Sequence, residues 1–146
     1  MPHAPDRLSL SPPRRRLWLD LLLLALLSAL LYLPGLDTHG VTNWQEAQRL
    51  VVARDMPARW HAGEGIAALV VPTREGTPYL AKPPFMYWAQ LALAEPFGAR
   101  VELWHMRLAV ALGGIGAVLA TYLAARSLFA SRSIAWWSAA LLATGI

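Results

Sequence analysis

Three charged side chains in this 146-residue sequence have types and neighbours suited to chemistry: Glu46, Arg49 and Lys82. Glu46 and Arg49 are separated by one helical step in a segment of helical periodicity, so a helix there sets them side by side. Lys82 stands directly before Pro83-Pro84 and the aromatic-rich run Phe85-Met86-Tyr87-Trp88. A lysine fixed at such a junction, facing a membrane surface, is a point charge able to bind the phosphate of a lipid carrier. Plainer alternatives stand beside these readings: solvated charges on a surface helix for Glu46 and Arg49, and a snorkelling interfacial lysine for Lys82. His39, His61 and His105 match no metal-ligand spacing, and there is no cysteine for a thiolate site. A Gly-rich phosphate loop, a Ser-His-Asp order and a nucleotide fingerprint are all missing from the sequence.

The elements that must position these residues follow from local patterns. Asn43 to Met56 reads as a helix with Asn43 or Thr42 as N-cap and Pro57 as terminator, its apolar face formed by Ala47, Leu50, Val51 and the stem of Arg54. Ala67 to Val71 is β-prone, and the turn signal Pro72-Thr73-Arg74-Glu75-Gly76 after it predicts a small hairpin. Pro84 to Ala94 predicts a second, interfacial helix with Tyr87 and Trp88 at headgroup level.

Around this polar segment the solvent is a bilayer. The chain is 56% hydrophobic and only 15% charged, with a mean hydropathy of +0.38, too apolar for a soluble domain of this length. Leu17 to Leu33 and Leu108 to Phe129 are each long enough to cross a hydrocarbon core of about 30 Å. A signal peptide would also fit the first run, but no small-residue cleavage site precedes Pro34, which favours an uncleaved helix. Gly113, Gly116, Ala117 and Ala120 give the second run a close-packing face, from which no function follows. A third run starts at Ile134 and reaches only Ile146, too short to span, so the sequence reads as a fragment of something longer.

The formal net charge of +4 lies beside the apolar runs: Arg7, Arg14, Arg15 and Arg16 against Asp6 and Asp20 leave +2 on one flank, and Arg126 and Arg132 give +2 on the other. In the middle, seven basic residues are matched by seven acidic ones. That places both basic flanks in the cytoplasm and residues 36–106 outside it. Nucleic acid is not an expected partner, since its footprint would cluster on the polar segment. The expected fold is an all-α integral membrane one: two complete transmembrane helices, a truncated third, and an extracytoplasmic segment carrying interfacial helices, all preceded by a disordered basic tail over residues 1–16.

The order of these pieces resembles the integral-membrane GT-C glycosyltransferases, in particular the protein O-mannosyltransferase and aminoarabinose transferase (ArnT-like) group. The likeness runs through Gln45-Glu46, Ala53-Arg54-Asp55-Met56 and Leu69-Val70-Val71-Pro72. Its specific block is Gly76-Thr77-Pro78-Tyr79-Leu80-Ala81-Lys82-Pro83-Pro84-Phe85-Met86-Tyr87-Trp88, and Arg107-Leu108 follows where the group has Arg-Leu. The resemblance implies transfer of a sugar from a polyprenyl-phosphate donor to a lipid, protein or glycan at the outer face of the cytoplasmic membrane. It implies a carboxylate that deprotonates or orients the acceptor, for which Glu46 is the position here, and cations that hold the lipid phosphate, for which Lys82 and Arg49 are the positions. Two departures stand out. The first carboxylate of the group's acidic pair is Gln45, and the acidic position before Lys-Pro-Pro, which in some members helps bind a divalent metal, is Ala81. The other reading is therefore a non-catalytic membrane protein or pseudoenzyme binding lipid-linked sugar. A transporter ranks last, because neither complete span carries polar groups near its midplane. With two and a half spans, the isolated chain is expected to be inactive.

Overall fold

The computed structural model describes residues 14–98 and 100–145. The tail expected over residues 1–13 lies outside them, but Arg14, Arg15 and Arg16 belong to the first turn of a helix, α1 (Arg14–Tyr32), and not to a tail. The chain divides into two compact units, one from residues 1–31 and 115–146 and the other from residues 32–114. Further helices are α2 (Trp44–Arg59), the short α3 (Ala67–Val70), α4 (Phe85–Ala94), α5 (Leu103–Phe129) and α6 (Arg132–Thr144). The fold is mostly helical, and α5 is the one described helix both long and apolar enough to cross a membrane. Three arginines and Asp20 make the opening turns of α1 more polar.

In the unit containing most of α1 and α6, Leu24, Val118, Tyr122, Ala125, Ala135, Ala139 and Ala143 form the buried cluster. Alanines on α6 let the neighbouring backbone approach closely. Asp20 is buried and accepts hydrogen bonds from Tyr122 Oη at 2.6 Å and from Arg132 Nε and Nη2 at 2.8 and 2.6 Å. A carboxylate out of water is tolerated in an apolar cluster only with such charged and hydroxyl donors.

The second unit is built on α2. Asn43 caps it, its Oδ1 accepting from Glu46 N at 2.9 Å, while Glu46 Oε2 accepts from Thr42 N at 2.8 Å, so cap and first turn hold each other. Its buried face is Leu50, Val52, Ala53 and Met56; Val51, expected on that face, is 47% exposed. The helix also runs through Pro57 to Arg59 and into a wider turn over Trp60–Glu64. Proline removes one amide donor here but sits near the end, where the Trp60 amide still reaches the carbonyls of Met56 and Pro57. Arg59 fixes that end by donating to Glu64, to the Val71 carbonyl at 2.8 Å and to Thr73 Oγ1 at 3.0 Å.

Residues 67–71 are not a strand. They make the turn of α3, with Val71 N donating to Ala67 O at 2.9 Å and the Trp88 indole N–H donating to Leu69 O at 2.9 Å. A strand needs a pairing edge, and only Thr73–Arg74 (β1) and Thr77–Pro78 (β2) find one, as a two-stranded antiparallel hairpin. Its turn residues Glu75 and Gly76 both have positive φ, 53° and 77°, the conformation a tight two-residue hairpin demands. Thr73 donates to Asp55 Oδ2, tying the hairpin to α2. On α4, which starts after Pro84 as the sequence predicts, Tyr87 is buried against Leu50, Val52 and Met56, not placed at a headgroup surface.

Candidate active site

Glu46 points from the first turn of α2 toward Arg107 near the start of α5, not toward Arg49. Arg107 Nε donates to Glu46 Oε1 at 2.8 Å and Nη2 to Oε2 at 3.2 Å. The remaining N–H groups of Arg107 reach backbone carbonyls: Nη1 donates to Leu36 O at 3.0 Å and His39 O at 2.7 Å, and Nη2 to Gly40 O at 2.8 Å. All five guanidinium donors are thus used, and the loop between α1 and α2 is drawn onto α5. Thr42 Oγ1 adds a donor to Glu46 Oε2 at 3.0 Å. Three of the four donors crowd onto Oε2 and one reaches Oε1, so the remaining room for a donor is a free site on Oε1.

This surrounding sets the acidity of the group. The Arg107 guanidinium, helped by the Thr42 donors, holds the Glu46 carboxyl at about 2 against an ordinary 4.5, outweighing the opposing effect of burial. Glu46 is therefore an anion throughout the physiological range. Its pairing with Arg107 is not legible in the sequence, where the two are 61 residues apart; the signals at Arg107 are its place just before the second apolar run and the Arg107-Leu108 likeness to the group, and neither names a partner.

Two cavities flank Arg49. One, of about 270 Å³, is lined by Asn43, Gln45, Glu46, Arg49, Met106 and Arg107, with Val110 closing it. The other, of about 260 Å³, is lined by Arg49, Lys82, Pro83, Met86 and Tyr87. The three residues singled out from sequence are thus brought to neighbouring cavities, with Arg49 in the wall of both, although Glu46 and Arg49 do not pair. Lys82 is exposed and holds its place through Pro83 and Pro84, which fix the backbone ahead of α4. The first cavity offers hydrogen-bonding carboxylate and amide groups, the second two cations over an apolar floor. The run Ala53-Arg54-Asp55-Met56 lines neither: Arg54 Nε donates to Val101 O at 2.7 Å, Asp55 accepts from Thr73, and Ala53 and Met56 are core.

The residues present do not suit a divalent metal. At the position where an acidic ligand would stand, Ala81 offers only a methyl group, and among the described residues no three His, Cys, Asp or Glu side chains gather as a ligand set. His39 is held by Thr38 at 2.7 Å, and His105 is buried and stacked on Trp104 with ring centroids 3.6 Å apart.

Compared with known proteins, residues 67–145 match the family described as dolichyl-phosphate-mannose-protein mannosyltransferase. No curated protein and no solved structure matches the chain. The matched region includes Lys82, Tyr87 and Arg107, while Glu46 and Arg49 precede it. Since that match takes in more than half of its length, the chain, whose Lys82 and Pro83 within the match line the cationic cavity, belongs to the dolichyl-phosphate-mannose-protein mannosyltransferase family.

Proposed function

We propose that this mannosyltransferase-type protein transfers a sugar from a polyprenyl-phosphate donor to a lipid, protein or glycan acceptor at the outer face of the cytoplasmic membrane. In this reading α1 and α5 both span, the amino terminus is cytoplasmic, and residues 36–106 carry the site outside. What supports it is the shared wall: Arg49 borders a cavity with Lys82 and another with Glu46, so one cation lies between a phosphate position and an acceptor position.

The chemistry follows from that order. The acceptor hydroxyl attacks the anomeric carbon, the bond from that carbon to the phosphate oxygen breaks, and its electron pair leaves with the phosphate. Lys82 and Arg49 stabilise the charge that develops there, which favours the transition state over the singly charged diester. Glu46, held at about 2, is a weak base, so its part is to orient the hydroxyl through the free site on Oε1. It takes the proton late, when the oxygen already bonded to carbon has become strongly acidic.

Gln45 in place of a carboxylate, and the near-complete engagement of Glu46, favour one alternative: a protein of the same fold that binds lipid-linked sugar without turning it over. Transfer of labelled mannose from a polyprenyl-phosphate-mannose donor, followed for the full-length protein in its native membranes and not for the isolated chain, separates the two. The proposal expects transfer that Glu46→Gln reduces 10- to 1000-fold. Donor binding with no transfer would establish the alternative.

A further inference from the structure

Tyr87 is nearly completely buried, at 1% exposure, and its hydroxyl has no hydrogen-bond partner. Leaving a buried hydroxyl unpaired forfeits its hydration with nothing in return, so such a group in a folded core calls for an explanation. Two observations supply one. Tyr87 is part of the wall of the cavity that Arg49 and Lys82 line. Burial, and then the neighbouring Tyr79 phenol, push its pKa up against the smaller opposing effect of the Arg49 guanidinium, so it keeps its proton. A protonated phenol near Arg49, on a residue that shares its cavity wall with Lys82, is a donor without an acceptor.

We propose that the Tyr87 hydroxyl is a third phosphate donor in this cavity, acting with Arg49 and Lys82 and specific for the phosphate monoester that leaves. The proposal rests on the function proposed above. A sugar-linked phosphodiester offers two non-bridging oxygens and one negative charge. When the bond to the anomeric carbon breaks, the electron pair stays on the former bridging oxygen, giving a monoester with three terminal oxygens and up to two charges. Two cations and one neutral hydroxyl match that set of three acceptors. The neutral donor adds a hydrogen bond without a further positive charge to bury, so Tyr87 is a positioning group for the leaving phosphate.

The test is Tyr87→Phe, which removes one oxygen and no packing volume. Binding of a polyprenyl monophosphate to the purified chain in lipid nanodiscs is compared with binding of the corresponding polyprenol, and melting temperatures are recorded in parallel. The proposal predicts that the variant loses 10- to 100-fold in affinity for the monophosphate and nothing for the alcohol. It also predicts a melting temperature without phosphate that is unchanged or raised, because an unpaired buried hydroxyl has been removed. Monophosphate affinity within twofold of wild type, in a variant of normal melting temperature, overturns the role of Tyr87. Lys82→Met keeps the two levels apart. If it abolishes monophosphate binding while Tyr87→Phe does not, only Tyr87 is excluded; if Lys82→Met binds as wild type, the phosphate site itself is wrong and the proposal falls with it.

Discussion

Replacing Arg107 by Met removes five hydrogen bonds at once and shows what the loop between α1 and α2 depends on. Two of the five go to Glu46 and three to the carbonyls of Leu36, His39 and Gly40. The His39 and Gly40 carbonyls lie in exposed stretches and can take water instead, so their loss costs little. Glu46 cannot do so as easily, since its side chain is 13% exposed and that of Arg107 16%. Breaking a buried ion pair by removing one partner costs about 3–5 kcal/mol, and the residual exposure here brings the expected loss to about 2–4 kcal/mol. A double-mutant cycle of Arg107→Met with Glu46→Gln, read by thermal unfolding in detergent, should give a coupling of about 1–3 kcal/mol. Amide exchange at Thr42 should quicken in Arg107→Met, because its acceptor, Glu46, loses its anchor. Arg107→Lys keeps the charge but offers fewer donors without the fork, and should recover about half of the loss. A coupling below about 0.5 kcal/mol, with Thr42 exchange unchanged, would refute the idea that this arginine organises the site.

The same pair predicts a pH dependence. A carboxyl at about 2 when folded and near 4.5 when unfolded contributes stability that is complete above pH 4.5 and is lost as the pH falls toward 2. That contribution is at most about 3 kcal/mol, and about 1–2 kcal/mol after screening by water, so acid melting curves of Glu46→Gln should be flatter than wild type in that window. A second prediction concerns α5, where a Cβ placed on Gly114 would lie 3.1 Å from the Tyr32 ring. Gly114→Leu should overpack that contact and lower stability by about 1–3 kcal/mol, measurable as a lower unfolding temperature.

What the sequence carried, and what it did not, divides along the range of the interactions. Helix starts are local: Asn43 followed by Glu46 announces a capped turn, Pro84 announces α4, and both are found where expected. The long apolar run of α5 was equally plain. Pairings across the chain were not. Nothing near Glu46 shows that its partner is Arg107, and helical spacing pointed to Arg49 instead. The rotation of α2 differs from the periodicity's expectation by about one residue because Val51 and Val52 are equally apolar, and only packing in the cluster with Tyr87 and Val101 decides which is buried. Pro57 failed to stop α2 because Arg59 holds the next turn, and Val70 and Val71 failed to form a strand because no edge lies beside them. Asp20 and Arg132, 112 residues apart, likewise meet only through the fold.

The central claim is that Arg49 serves both cavities while Lys82 serves one. Steady-state transfer of labelled mannose in native membranes, with donor concentration varied at fixed acceptor and then the reverse, tests it most directly. Lys82→Met should raise the KM for the donor 10-fold or more and leave the KM for the acceptor unchanged, whereas Arg49→Met should disturb both and lower kcat as well. Arg49→Met indistinguishable from wild type in both series, in a protein of normal stability, would contradict the account.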